Sequence, residues 1–196
     1  MKILRASDYR RMPWKNGGGE TVEIAVFPPD ASVDSFDWRI SMAGVAEDGP
    51  FSIFPGVDRT LSVLEGNGID LTIDGREATR LTQQSAPLAF PADAPTTARL
   101  VAGPIRDLNV MSRRGAFSHV VEDRTAPMLD SPSDHCRLIF CKRGDLRVSS
   151  GDHHDTLGPQ DALLCDRGEV ISMTGEGELI VVTLRPPEYI LSRQNN

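Results

Sequence analysis

The chain has 196 residues, 39% apolar and 25% charged, a balance that fits one large or two small globular units and excludes wholesale disorder. A formal net charge of −7 argues against a nucleic-acid partner, and no apolar run reaches the roughly 18 residues that a bilayer-spanning helix needs. Cys136, Cys141 and Cys165 form an odd set with no disulfide framework.

At the N-terminus, "MKILRASDYRRMPW" breaks into charge after two apolar residues, so it has no signal-peptide core, and the chain reads as cytoplasmic. One helical turn is expected near "ASDYRRM", with Ser7 as its N-cap. The next stretch, "PWKNGGGET", sets Gly17, Gly18 and Gly19 among Trp14, Lys15, Asn16, Glu20 and Thr21. A linker would not need an aromatic ring and a cation beside it. The better account is a tight backbone passage against a pocket, where missing side chains let a ligand or a neighbouring strand approach.

Beyond it the chain alternates. In "TVEIAV", Val22, Ile24 and Val26 share one face and Thr21 and Glu23 the other. In "DWRISMA", Trp38, Ile40 and Met42 oppose Arg39 and Ser41; in "RDLNVMSR", Leu108 and Val110 oppose Asp107, Asn109 and Arg113. Many short strands separated by glycine and proline turns predict an all-β sandwich or barrel.

An internal repeat sharpens this. The run from Leu61 ("LSVLEGNGIDLTIDG") and the run from Leu138 ("LIFCKRGDLRVSSG") both pass through a strand, a glycine turn, a second strand and another glycine. Gly66 matches Gly144 at an offset of 144 − 66 = 78, and Gly75 matches Gly151 at 151 − 75 = 76. Two related β-units follow, expected at residues 1–118 and 119–196 and packed too closely to separate well. Their join falls in the polar, proline-bearing stretch from His119 to His135.

The sequence of strand, "LEGNG", strand, "DG", leucine and "FPADAP" resembles the cupin barrel, and its presence in both halves implies a bicupin: two small jelly-roll barrels in one chain. Enzymatic cupins hold a divalent metal with histidines and a carboxylate. Here the matching region carries Phe54, Gly56 and Arg59, and the later histidine position falls near Thr96. None of these replaces an imidazole. His153 and His154 are adjacent at a hairpin tip and point to opposite faces of a strand. Neither metal nor cofactor is expected.

Four stretches together are more specific: "MPWKNGGGET", "WRISMAGVAEDGPFSIFPGVDRTLSVLEGNGIDL", "FPADAP" and "RDLNVMSRRG". They closely resemble the HutD/Ves family of bacterial bicupin proteins, from about residue 3 to residue 187 and most strongly over the first 115 residues. The resemblance implies a metal-free protein associated with histidine utilisation. It further implies binding of an intermediate, urocanate or an N-formyl- or N-formimino-glutamate, and thereby moderation of the pathway.

By their chemistry, Lys15, Arg39, Arg59 and Arg113 can hold a carboxylate; Asn16, Thr21, Ser41 and Asn109 can orient polar groups. Glu20, Glu23 and Asp58 can pair with the cations or accept from a ligand nitrogen, while Trp14, Phe51 and Phe54 supply flat walls. Each has a plainer reading. Arg39 and Glu23 also suit a water-facing cross-strand pair, Asp58 a turn cap, Phe54 the core, and Arg114 and Arg143 solvent. The leading expectation is a binding protein for a small anionic metabolite, with no nucleic-acid or membrane partner and a homodimer left open. The alternative is a cofactor-free isomerase or hydrolase with Glu20 or Asp58 as general base. A protein-interaction scaffold is the third reading.

Overall fold

Fourteen prolines and 17 glycines break the chain into short runs, and those runs form strands. The computed structural model describes residues 1–14 and 19–187. The one helical element among them is a 3-10 turn, Ala6–Asp8, in the expected place. Ser7 does not cap it: the residue before the turn is Arg5, and the Ser7 hydroxyl donates instead to Asp8 Oδ1 at 2.8 Å. Among the described residues no helix is long and apolar enough to cross a membrane.

The strands are β1 (Lys2–Leu4), β2 (Arg10–Pro13), β3 (Gly19–Phe27), β4 (Trp38–Val45), β5 (Gly49–Pro50) and β6 (Val57–Glu65). They continue with β7 (Ile69–Ile73), β8 (Thr79–Leu81), β9 (Leu88–Pro91), β10 (Thr96–Leu100), β11 (Ile105–Arg113) and β12 (Ser118–Asp130). The last are β13 (Cys136–Gly144), β14 (Leu146–Ser150), β15 (His153–Leu157), β16 (Ala162–Cys165) and β17 (Ile171–Arg185). The chain is all-β, as its alternation implies.

One compact unit is Arg10–Ser118. Its six-stranded sheet runs β2-β3-β4-β11-β6-β9 and its four-stranded sheet β5-β10-β7-β8. The two sheets share a single apolar cluster that includes Leu61, Val63, Ile69, Leu71, Phe90 and Ala98. Leu61, Ile69 and Leu71 are wholly buried, each stabilising the fold by about 1.5–3 kcal/mol relative to an exposed side chain. The other unit is Met1–Tyr9 together with the chain from His119 onward. The sequence reading began the first unit at residue 1. Instead Lys2, Ile3 and Leu4 pair with Leu164, Leu163 and Ala162, which makes β1 the edge strand of the second unit's sheet, ordered β1-β16-β13-β17-β14-β15.

The repeat is visible as pairing. In the first unit β6 lies beside β9 and β11, and β7 beside β8 and β10. In the second, β13 lies beside β16 and β17, and β14 beside β15 and β17, so β17 takes the places of β10 and β11 in one long strand. Gly66 and Gly144 match in detail. Both have positive φ, +93° and +102°, and a Cβ on either would collide with a backbone carbonyl, that of Pro104 or Glu176.

One alternation is interrupted. A bulge between Glu23 and Ala25 shifts the register of β3, so Val26 falls opposite Arg39 rather than on the face of Val22. Val26 packs with Phe36, Val57, Phe54 and Met111.

Candidate functional site

Pairing across the six-stranded sheet stacks side chains in three rungs on the face that also carries Leu61, Val63 and Phe90. The first rung is Val26, Arg39, Met111, Arg59 and Phe90. Beside it runs Glu23, Ser41, Asn109 and Leu61. The third is Thr21, Ala43, Asp107 and Val63. Charged and amide side chains thus occupy positions where alternation normally places apolar ones. Arg39, Ser41, Arg59, Asp107 and Asn109 are all buried.

The two buried arginines differ in what they touch. Arg39 Nε donates to Glu23 Oε2 at 2.7 Å, with side-chain exposures of 7% and 14%, so the expected pair exists but does not face water. Arg59 has aromatic neighbours. Its Cζ lies 5.3, 5.2 and 5.8 Å from the ring centroids of Phe51, Phe54 and Phe90, within cation–π range. Its buried Nε has no hydrogen-bond partner among the described residues. Burial pulls the guanidinium down to about 10, the Asp107 charge resisting and the Arg39 charge assisting, so Arg59 remains a cation at neutral pH.

Asp107 is wholly buried. Its Oδ1 accepts from Asn109 Nδ2 at 2.6 Å, while Oδ2 has no partner among the described residues. Burial pushes this carboxyl up to about 7, against the pull of Arg59, the Asn109 amide and the Ala43 backbone. Two orphaned polar atoms, Arg59 Nε and Asp107 Oδ2, are therefore buried on one wall of one barrel. Native interiors rarely leave such groups unmatched.

The "GGG" motif is described only at Gly19. A Cβ there would fall inside the contact shell of the Gly44 carbonyl oxygen and touch the Trp14 ring, so the close approach is to a neighbouring strand. Trp14 packs against the barrel core and its Nε1 donates to Thr21 Oγ1 at 2.8 Å. Lys15, Asn16, Gly17 and Gly18 lie outside the described residues.

Of the remaining expected site residues, the fold gathers Thr21, Arg39, Ser41, Phe54, Arg59 and Asn109 along the rungs or against Arg59, and sends three elsewhere. Glu20 faces away from Thr21 and pairs with Arg11 at 3.0 Å in an exposed contact. Asp58 sits on the opposite face from Arg59 and accepts from Arg114 Nε at 2.8 Å; Arg114 also reaches Asp93 at 2.7 Å, so Arg114 is an exposed ion-pair hub. Arg113 donates to the carbonyls of Phe36 and Asp34, both at 3.0 Å, and lies over the Phe36 ring, pinning the loop before β4. Neither Glu20 nor Asp58 is placed as a buried general base. Asp107 and Phe90, which share this wall, are not among the expected site residues, although the alternation of "RDLNVMSR" puts Asp107 on the face of Asn109.

Among the described residues there is no group of three or more His, Cys, Asp and Glu side chains able to hold a metal ion. Open depressions over β14 and β15 are lined by exposed polar groups such as Arg147, His154 and Thr156, and by Arg5 and His153.

The strand scheme is that of a cupin-fold protein. At 8% identity, oxalate decarboxylase shares this fold, with a TM-score of 0.67 over 95% of this chain and 77% of its own. The HutD family model matches residues 6–181, and the chain belongs to that family. It is similar to a 21.2 kDa protein in the hutC 3′ region of Pseudomonas putida, 34% identical over 94% of this chain and 97% of that one. It is also similar to HutD from Pseudomonas fluorescens SBW25, at 35% identity and TM-score 0.78, covering 94% and 98% of the two chains. Protein Ves from Citrobacter koseri is 42% identical over 55% of this chain and 56% of its own.

Proposed function

We propose that the barrel of Arg10–Ser118 binds a small carboxylate of histidine utilisation, the process with which the family is associated, and moderates that pathway without a metal or other cofactor. The favoured ligands are urocanate and N-formyl- or N-formimino-glutamate. One observation carries the reading: among the described residues Arg59 is a buried cation with no carboxylate in contact and an orphaned Nε, held in place by three rings. A buried cation without a hydrogen-bonded counter-ion is costly, and an anionic ligand supplies that partner. Phe51 and Phe54 cover the guanidinium from the connection between β5 and β6, whose Ser52 and Ile53 are exposed, so entry proceeds by displacement of that connection.

Calorimetric titration with urocanate and N-formylglutamate tests this. Arg59→Ala weakens binding more than about tenfold, roughly 1.4 kcal/mol. Arg143→Ala, at an exposed residue 3.7 Å from Glu178 in the other unit, changes it little. Wild-type protein that binds neither compound, or equal losses in both variants, overturns the proposal. Consumption of either compound during the titration replaces a binding function with an enzymatic one.

A further inference from the structure

The anion-site reading implies a charge problem inside the barrel, and its solution names a role for Asp107. Among the described residues of this unit, Arg10 on β2 and Arg113 on β11 also fall on the inner face, but Arg10 is exposed and Arg113 is bonded to the Phe36 and Asp34 carbonyls. The charges enclosed beside one another are Arg39 on β4, Arg59 on β6, Glu23 on β3 and Asp107 on β11. With every group ionised they sum to zero. The facing sheet adds Ile69, Leu71 and Ala98, none of which titrates. A carboxylate bound to Arg59 leaves at least one uncompensated negative charge where burial makes it expensive.

Glu23 is not the group to absorb it, because its carboxylate is engaged by Arg39 at 2.7 Å. This unit contains no histidine: all four lie at residue 119 or later. Asp107 has the required features, being wholly buried, with one oxygen held by Asn109 and the other bare.

Resting on the anion-site reading, we propose that Asp107 takes up one proton from solvent as the anion enters, and that its Oδ2 then donates an O–H hydrogen bond to a second oxygen of the ligand. This narrows the favoured ligands to the N-substituted glutamates, with a carboxylate at one end for Arg59 and an oxygen acceptor at the other, either a formyl carbonyl or a second carboxylate oxygen. Urocanate, whose far end carries no oxygen, falls outside the class. A ligand offering only N–H groups at its far end is disfavoured, because a protonated Asp107 presents a donor there. Burial already raises this carboxyl toward neutrality, so the uptake happens at ordinary pH.

The probe is N-formylglutamate, whose own carboxylates do not titrate between pH 6 and pH 8. Calorimetry at pH 8 in two buffers of different ionisation enthalpy counts the protons. About one per ligand is expected, with affinity falling by up to about tenfold per pH unit as Asp107 ionises. Asp107→Asn, checked for folding by circular dichroism, binds with no uptake and no pH slope. Saturable wild-type binding without proton uptake overturns the inference while leaving the anion site standing. No binding of N-formylglutamate at either pH overturns the inference, and the anion site falls with it if urocanate also fails to bind. A pH slope that persists in Asp107→Asn assigns the proton to another group and also overturns it. The wild-type proton count decides even if the variant does not fold.

Discussion

Arg39 and Arg59 flank Met111 on one rung of the sheet, and among the described residues only Arg39 has a carboxylate in contact. Two identical side chains, similarly buried, thus have opposite electrostatic circumstances. The paired one reads as structure. The caged one is the natural place for a ligand, because function is where proteins leave interactions incomplete.

That difference makes a stability prediction. Arg59→Met replaces an unmatched buried cation with an apolar chain that fills the space among Phe51, Phe54 and Phe90. The ligand-free variant gains about 1 kcal/mol, because the desolvation cost removed exceeds the cation–π attraction lost. For a protein of this size that is a rise of about 2–4 °C in melting temperature, accompanied by loss of binding. A lower melting temperature shows that the three rings already compensate the charge, and weakens the case for an anion there.

Much of the fold was legible because its signals are local. Glycine and proline turns, period-two alternation and the spacing of Gly66 and Gly144 carry the all-β class and the repeat. Three things were not local. Strand β1 joins a sheet whose partner strand lies 160 residues further on, as the pairing of Ile3 with Leu163 shows. The bulge at Glu23 moves Val26 to the inner face, and nothing in "TVEIAV" signals it. Asp58 and Arg59 are neighbours in sequence and take opposite faces, so residue chemistry groups the exposed Asp58 with the site and omits Asp107, 107 − 58 = 49 residues further on and on the face of Asn109. Residue chemistry singles out Arg59 as a candidate; only pairing shows which side chains lie beside it.

The glycine motif yields a sharper contrast. Gly19 and Gly44 sit against each other across β3 and β4, but their tolerances differ. Alanine at Gly44 meets nothing within 4 Å. Alanine at Gly19 drives a methyl into the Gly44 carbonyl oxygen and onto the Trp14 ring, against backbone that cannot yield cheaply. Thermal melts separate the two: Gly44→Ala stays within about 0.5 kcal/mol of wild type, whereas Gly19→Ala loses about 2 kcal/mol or more. Equal effects would mean that the close passage beside Trp14 is not a requirement of the fold.

The last prediction concerns pH and needs no ligand. Asp107 has an ordinary value of 3.8 and rises to about 7 in the folded protein, mainly because burial disfavours its charge. Between these limits the native state holds a proton that the unfolded chain has released. Stability therefore falls as pH rises from about 4 to about 7 and levels off above that. Asp93, Asp70 and Asp155 are shifted the other way by their arginine and backbone partners, so their contribution is lost only in more acid solution. Burial also raises Asp123 and Asp130, so the difference between wild type and Asp107→Asn from pH 5.5 to pH 8, rather than either protein alone, isolates Asp107. At about 1.4 kcal/mol per unit over the interval up to pH 7, wild type loses about 2 kcal/mol more than the variant. Asp107→Asn lacks that loss, since an amide does not titrate, and it gains most over wild type at pH 8. Urea denaturation of both proteins at the two pH values gives the four free energies required. If the two proteins lose equally between pH 5.5 and pH 8, Asp107 is ionised throughout, and Arg59 has its counter-charge without a ligand.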